Sequence, residues 1–424
     1  MDPRPRLPGS ALGCTVLRST YLVALGMAGT ARDSPTGDPA MRLLLRSTAI
    51  AVLLISVCFR QATATPNQVD VWPLWESYKA RFISADGRVI DWHSNGRTTS
   101  EGQAYALFFS LVANDQQVFK TVLQWTEVNL ADGSLHQKLP AWLWEKDPDG
   151  PGRVKDWNSA SDADLWIAYT LIFAGRDWNN PEYESLGRSL ADRIAKEEVV
   201  LFPRDGSMLM PGREGFRPEP HTYILNPSYL PPQVLFGIGT ELPHGPWKQI
   251  GNNLPNLLAR NVGNGFAMDW VRYQPNTGYA ATALANESVD GGYDAIRVYL
   301  WMGMLDQHTE GYERLLQLLS GMAQYMRTHS VPPERVSSSG VIISDRSPVG
   351  FSAATIPFLL ATGETRAANE QQTRLKKEYS EVTGLYGKEP SYYDQNLALF
   401  AEGWTNDRYR FDANGRLWLS WRKQ

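Results

Sequence analysis

The chain has 424 residues, a net charge of −4 and two cysteines, Cys14 and Cys58, set against 15 Trp and 18 Tyr. That charge argues against nucleic acid or an anionic membrane surface as partner, and cysteines confined to the first 58 residues exclude disulfides and thiolate metal sites from the rest. So many large rings exceed what a core of this size usually needs.

In chain order, residues 1–40 mix Pro, Gly and Arg without periodicity and read as an overextended start ahead of Met41. Met41-Arg-Leu-Leu-Leu-Arg46 is a basic n-region, Ile50 to Phe59 an apolar h-region and Ala62-Thr63-Ala64 a small-residue cleavage site, so 41–64 is expected to be a signal peptide. Val57 is bulkier than lipoprotein processing at Cys58 prefers. Nothing after Thr65 approaches the ~18 apolar residues of a membrane span. The expectation is a periplasmic or secreted protein, cleaved near Ala64, with no stable membrane insertion.

Residues 65–424 carry no linker, charge run or low-complexity tract and read as one catalytic domain. Apolar residues three and four apart predict helices over 101–113, 117–130, 160–175, 182–198, 246–260, 292–305, 310–328, 352–361 and 393–402. Strand alternation is rare. Aromatic and Pro-rich loops, among them Leu139-Pro-Ala-Trp-Leu-Trp144 and Asn226-Pro-Ser-Tyr-Leu-Pro-Pro232, separate these helices. Successive helix pairs in one undivided domain predict an all-α fold closed as an α/α barrel.

Acids stand at three helix starts. Thr98-Thr-Ser-Glu-Gly-Gln103 and Ala160-Ser-Asp-Ala-Asp164 each point a carboxylate outward from a rigid element, where it can transfer protons. Both also fit a capping box, Thr98-x-x-Glu101 and Ser159-x-x-Asp162, in which the acid only accepts a backbone N–H. In Tyr293-Asp-Ala-Ile-Arg297, Arg297 lies three residues after Asp294 and on the same helical face, where a cation keeps a carboxylate ionised. The plain alternative is a surface ion pair of small energy.

These three motifs in this order resemble glycoside hydrolase family 8, most of all its bacterial cellulose synthase-associated endoglucanase branch. The resemblance runs from about 70 to 420 and takes in Asp269-Trp-Val-Arg-Tyr273 and Pro348-Val-Gly-Phe-Ser352; Thr170 stands where the family signature has Ser or Ala. It implies an (α/α)6 barrel that cuts internal β-1,4-glucosidic bonds of cellulose with inversion. It further implies a role in trimming nascent cellulose, which leaves room for a cellulose synthase complex as partner. Xylan, chitosan or mixed-linkage glucan are alternative substrates on the same scaffold, and a glucan-binding assembly factor or a purely structural scaffold are alternatives of other classes.

Inversion needs one carboxyl to protonate the leaving oxygen and a second, about 6.5–9.5 Å away, to activate water on the opposite sugar face. The resemblance assigns the acid to Glu101, with Tyr105 and Phe108 on its helical face, and the base to Asp294. Asp162 would grip hydroxyls of the sugar being distorted, while Asp164 would support the barrel by hydrogen bonding. Expected substrate contacts are Trp142, Trp144, Tyr293, Arg297, Tyr392 and Trp404, with Tyr229, Trp270, Tyr273 and Tyr393 as further rings. Arg272 either meets sugar hydroxyls or bridges helices. Gly291-Gly292 is a turn into the Asp294 helix. His-Glu-x-x-His, a phosphate-cradling Gly-rich loop and Gly-x-Ser-x-Gly are all absent, so metal, nucleotide and serine-esterase chemistries lose support and no cofactor is expected.

Overall fold

The computed structural model describes residues 71–147, 150–259, 264–284 and 288–423. The expected extension over 1–40 and leader over 41–64 lie outside the described residues. The helices are, in order, α1 (Pro73–Phe82), α2 (Ser100–Val112), α3 (Gln116–Leu130), α4 (Ser161–Asp177), α5 (Pro181–Glu197), α6 (Pro232–Glu241) and α7 (Trp247–Ala259). There follow α8 (Ala295–Gly303), α9 (Tyr312–Leu318), α10 (Ser320–Met326), α11 (Val349–Ala361), α12 (Thr365–Glu378) and α13 (Tyr392–Thr405).

Two kinds of helix alternate. Every residue of α4 from Ser161 to Gly175 is buried, as is every residue of α8 and α11 from Val349 to Leu359. Such helices need cover on all sides. By contrast α5 buries only the stripe Leu186, Gly187, Leu190, Ala191 and Ile194, and its wet face carries the Arg188–Glu184 and Arg193–Glu197 pairs. The buried helices α2, α4, α6, α8, α11 and α13 pack in that order into a ring that closes from α13 back onto α2. Outside it stand α3, α5, α7, the α9–α10 pair and α12, and α1 takes the sixth place against α13. The fold is an (α/α)6 barrel.

Its axis is filled with rings. Trp166 on α4 is fully buried and lies 4.9 Å from Phe108 of α2, 5.2 Å from Phe400 of α13 and 5.4 Å from Trp301 of α8. Much of the aromatic excess therefore serves the core. Between α8 and α11 the fit is closer still: a Cβ on Gly303 would lie 2.1 Å from the Phe358 backbone nitrogen, so only glycine admits this approach.

Three expectations need correction. Helices α1, α6 and α12 were not expected. The helix expected over 310–328 is broken at Leu319, because Gly321 N–H donates to the Gly265 carbonyl at 3.0 Å instead of continuing the helical ladder. Short strands are also common, for the loops on the barrel ends form three three-stranded sheets and three hairpins among the described residues. One of these matters for function: Thr98–Thr99 pairs antiparallel with Leu143–Trp144, and Ser100 N–H donates to the Trp142 carbonyl at 3.1 Å, tying the 139–144 loop to the start of α2. Among the described residues no helix is long and apolar enough to cross a membrane.

Candidate active site

A groove of about 660 Å³ crosses the face at which the inner helices begin, lined by residues at or beside the first turns of α2, α4, α6, α8, α11 and α13. Glu101 sits in the first turn of α2. Its helix is capped by Thr99, whose Oγ1 accepts from Gly102 N–H at 3.2 Å, while Thr98 Oγ1 donates to the Val89 carbonyl at 2.6 Å. The capping box expected from Thr98 to Glu101 is therefore not formed. Glu101 is free for other partners and accepts from Tyr392 OH at 3.3 Å and from Arg297 Nη1.

Asp162 begins α4 in the same way. Ser159 does not cap this helix; its hydroxyl donates to Glu198 Oε1 at 2.5 Å, so the second expected capping box is absent too. Asp162 accepts from Ala163 N–H at 2.8 Å and from Arg297 Nη1 at 3.1 Å. Burial pushes its carboxyl up to about 7, with Arg297 pulling the other way and Glu101 adding to the rise.

Asp294 precedes α8, and its Oδ1 accepts from Arg297 Nη2 at 2.6 Å. Asp294 escapes capping because Asp269, from a distant loop, does that work. Asp269 Oδ1 accepts from Gly292 N–H at 2.8 Å and from Ala295 N–H at 2.7 Å. Burial, reinforced by the charge of Asp294, pushes the Asp269 carboxyl up to about 7. The Asp269-Trp-Val-Arg-Tyr273 motif is conspicuous in the sequence, yet nothing in it signals a cap delivered to a helix 26 residues on.

All three acids meet at Arg297, whose side chain is 4% exposed and bound to Glu101, Asp162 and Asp294. Tyr105 OH lies 3.3 Å from Nη1, and Nη2 donates to Ser228 Oγ at 3.1 Å. Ser228 is held in turn by Asn226 Oδ1 at 2.7 Å, a support that a Pro-rich loop does not announce. The Tyr229 ring lies under the guanidinium at 5.6 Å. One cation cannot neutralise three carboxylates in a half-closed site, so at least one proton is retained among the three acids. Glu101 and Asp294 hang from different nitrogens of one planar fork, which sets them apart by no more than a guanidinium and two hydrogen bonds.

Trp142, Tyr229, Tyr293, Tyr392 and Tyr393 line the groove. Tyr293 is half exposed, its hydroxyl donating to Glu334 Oε1 at 3.2 Å and its carbonyl accepting from Tyr393 OH. Five expected contacts lie elsewhere. Trp144 is buried against Trp125, with centroids 5.4 Å apart, and the Arg88 guanidinium covers it at 4.8 Å. Trp404 is at the far end of α13 from Tyr392, its ring 4.2 Å from Arg410. Arg272 is exposed on the strand Trp270–Gln274, away from the groove, and Tyr273 stacks on Phe202 at 4.1 Å in the core. Trp270 is buried between Phe216 and Tyr229. Asp164 does not hydrogen bond as expected: neither of its buried oxygens has a partner among the described residues, and burial followed by the charge of Glu198 drives its carboxyl well up. Asp91 and Arg97, an ion pair at 3.3 Å on the groove wall, were not anticipated.

The description of glycosyl hydrolases family 8 matches residues 43–407, a span that starts well before the motifs. The chain belongs to glycosyl hydrolases family 8. It is 43% identical to an endoglucanase of Xanthomonas axonopodis pv. citri (strain 306) over 85% of this chain and 92% of that one. It is 40% identical to an endoglucanase of Escherichia coli (strain K12) over 89% and 97% respectively. The solved structure of an endo-1,4-D-glucanase from Vibrio fischeri ES114 superposes with a TM-score of 0.76 at 37% identity, covering 83% of this chain and all of that one. Family 8 membership accounts for the barrel.

Proposed function

We propose that this family 8 hydrolase is an endoglucanase that cuts internal β-1,4-glucosidic bonds of cellulose with inversion, Glu101 acting as acid and Asp294 as base. The observation that carries the reading is the pair of carboxylates held on one buried guanidinium in the floor of an aromatic-lined groove. With a glucan chain along the groove, Glu101 gives its proton to the glycosidic oxygen as the bond to C1 breaks, and Asp294 takes a proton from the water that attacks C1 from the opposite face. The developing positive charge on the sugar ring is favoured by the ring of carboxylates, and Arg297 keeps Asp294 oriented. Asp162 grips a hydroxyl of the distorted sugar. Below about pH 7 its carboxyl carries a proton, so it donates as well as accepts. Trp142 and the groove tyrosines offer flat faces to successive sugars.

The signal-peptide pattern over 41–64 supports work outside the cytoplasm, in the periplasm or medium, and the resemblance to the synthase-associated branch supports trimming of nascent cellulose beside its synthase. The test is viscometry together with reducing-end assay on carboxymethylcellulose. Viscosity falling well ahead of reducing-end release is the endo-glucanase result. Hydrolysis of xylan or chitosan alone would move the substrate, and tight binding of cello-oligosaccharide without cleavage would replace the enzyme by a binding factor.

A further inference from the structure

Next to the groove lies a second cavity of about 640 Å³, a size typical of ligand sites, which shares His93 and Glu389 with the groove as a common wall. Its most unusual feature is Trp92, 48% exposed. A single exposed ring on a surface means little. This one differs in being fixed. It opens the 3₁₀ turn Trp92–Ser94, which Asp91 caps by accepting from His93 N–H at 3.2 Å and which ends on Asn95 at φ 55°. The indole N–H donates to the Arg81 carbonyl at 2.9 Å, and the Arg81 guanidinium sits 5.9 Å from the ring centre. The same Asp91 pairs with Arg97 on the groove wall, so the groove and the ring share one rigid support.

Resting on the glucanase reading above, we propose that this cavity is an outer subsite, in which Trp92 stacks a glucosyl unit of a β-glucan chain that runs out of the groove past His93 and Glu389. Arg81 and Lys388 supply N–H donors and Glu389 an acceptor around the ring, suited to equatorial hydroxyls. A platform already locked by its N–H loses little side-chain freedom on binding, so its contact energy is realised. Only chains long enough to fill the groove and reach beyond it gain from it. The subsite therefore favours long glucans over short ones without touching the acids.

The experiment compares kcat/KM on cellohexaose and longer cello-oligosaccharides with kcat/KM on cellotetraose, for the wild type, Trp92→Ala, Trp92→Phe and Lys388→Ala. The expected result is a long-to-short ratio that falls roughly tenfold in Trp92→Ala, largely persists in Trp92→Phe and falls less in Lys388→Ala. A wild-type ratio in Trp92→Ala, or equal losses at every length, overturns the proposal. If Trp92→Ala does not fold, an unchanged ratio in Lys388→Ala overturns it. A wild type that cleaves no β-glucan at all would instead remove the glucanase reading, and the subsite with it.

Discussion

Arg297 binds three carboxylates, and the fork of its guanidinium is what allows this. Lysine keeps the charge but offers one compact ammonium in place of two separated nitrogens. Arg297→Lys is therefore expected to lower kcat by about a hundredfold or more and to destabilise the fold by about 1–3 kcal/mol, since at least one buried acid loses its partner; steady-state kinetics with thermal melting checks both. The buried acids also set a pH dependence. Asp162 and Asp269 stand at about 7 and Glu198 at about 8, each raised chiefly by burial above an unfolded value near 4. Between about pH 4 and 8 the folded chain holds protons the unfolded chain has released, so stability must fall as pH rises through that window. Glu198→Gln removes one such group while keeping an acceptor for the Ser159 hydroxyl. We expect it to stabilise the protein at pH 8 by about 1–3 kcal/mol and to leave pH 4.5 nearly unchanged. Melting curves at the two pH values that show the same effect at both would contradict this.

Among the elements, the helices easiest to find from sequence were those with a clear apolar period, and their limits agree with the structure to within a few residues for α2 to α5. Of the undetected ones, α1 carries that period in Leu74, Trp75, Tyr78 and Phe82, whereas α6 and α12 lack it for physical reasons. Helix α6 is buried almost throughout and carries Gly237 and Gly239, so no polar face marks it. Helix α12 buries only Ala367, Ala368 and Gln371, too weak a stripe to stand out. The acid motifs could be read because they are local, whereas Asp269, Ser228 and Asn226 reach the site only through pairings made by the fold. Trp144 was misplaced because a loop tryptophan in sequence does not reveal which way it turns, and Trp404 because it sits at the opposite end of α13 from the groove. Close packing of the inner ring gives a sharp test: Gly303→Ala drives a Cβ into the Phe358 backbone, which cannot yield as a side chain would. The expected cost is about 1–3 kcal/mol, seen as a lower melting temperature; an unchanged melting temperature would mean that α8 and α11 separate freely.

The whole molecule divides its work by position along the barrel axis. Rings around Trp166 fill the interior, and the ends of six helices meet above them at a groove whose floor is acidic and whose walls are aromatic. An end-on groove of this kind leaves a polymer free to lie across it, in keeping with attack on internal bonds. The measurement that bears most directly on this account is proton NMR of the products formed from cellohexaose by the wild type, Glu101→Gln and Asp294→Asn. The α-anomer appearing first in the wild type, with rates lowered about 10²–10⁴-fold in both variants, is the predicted result. A β-anomer as first product, or either variant cleaving at the wild-type rate, would contradict the assignment of Glu101 and Asp294 as the acid and base of an inverting glucanase.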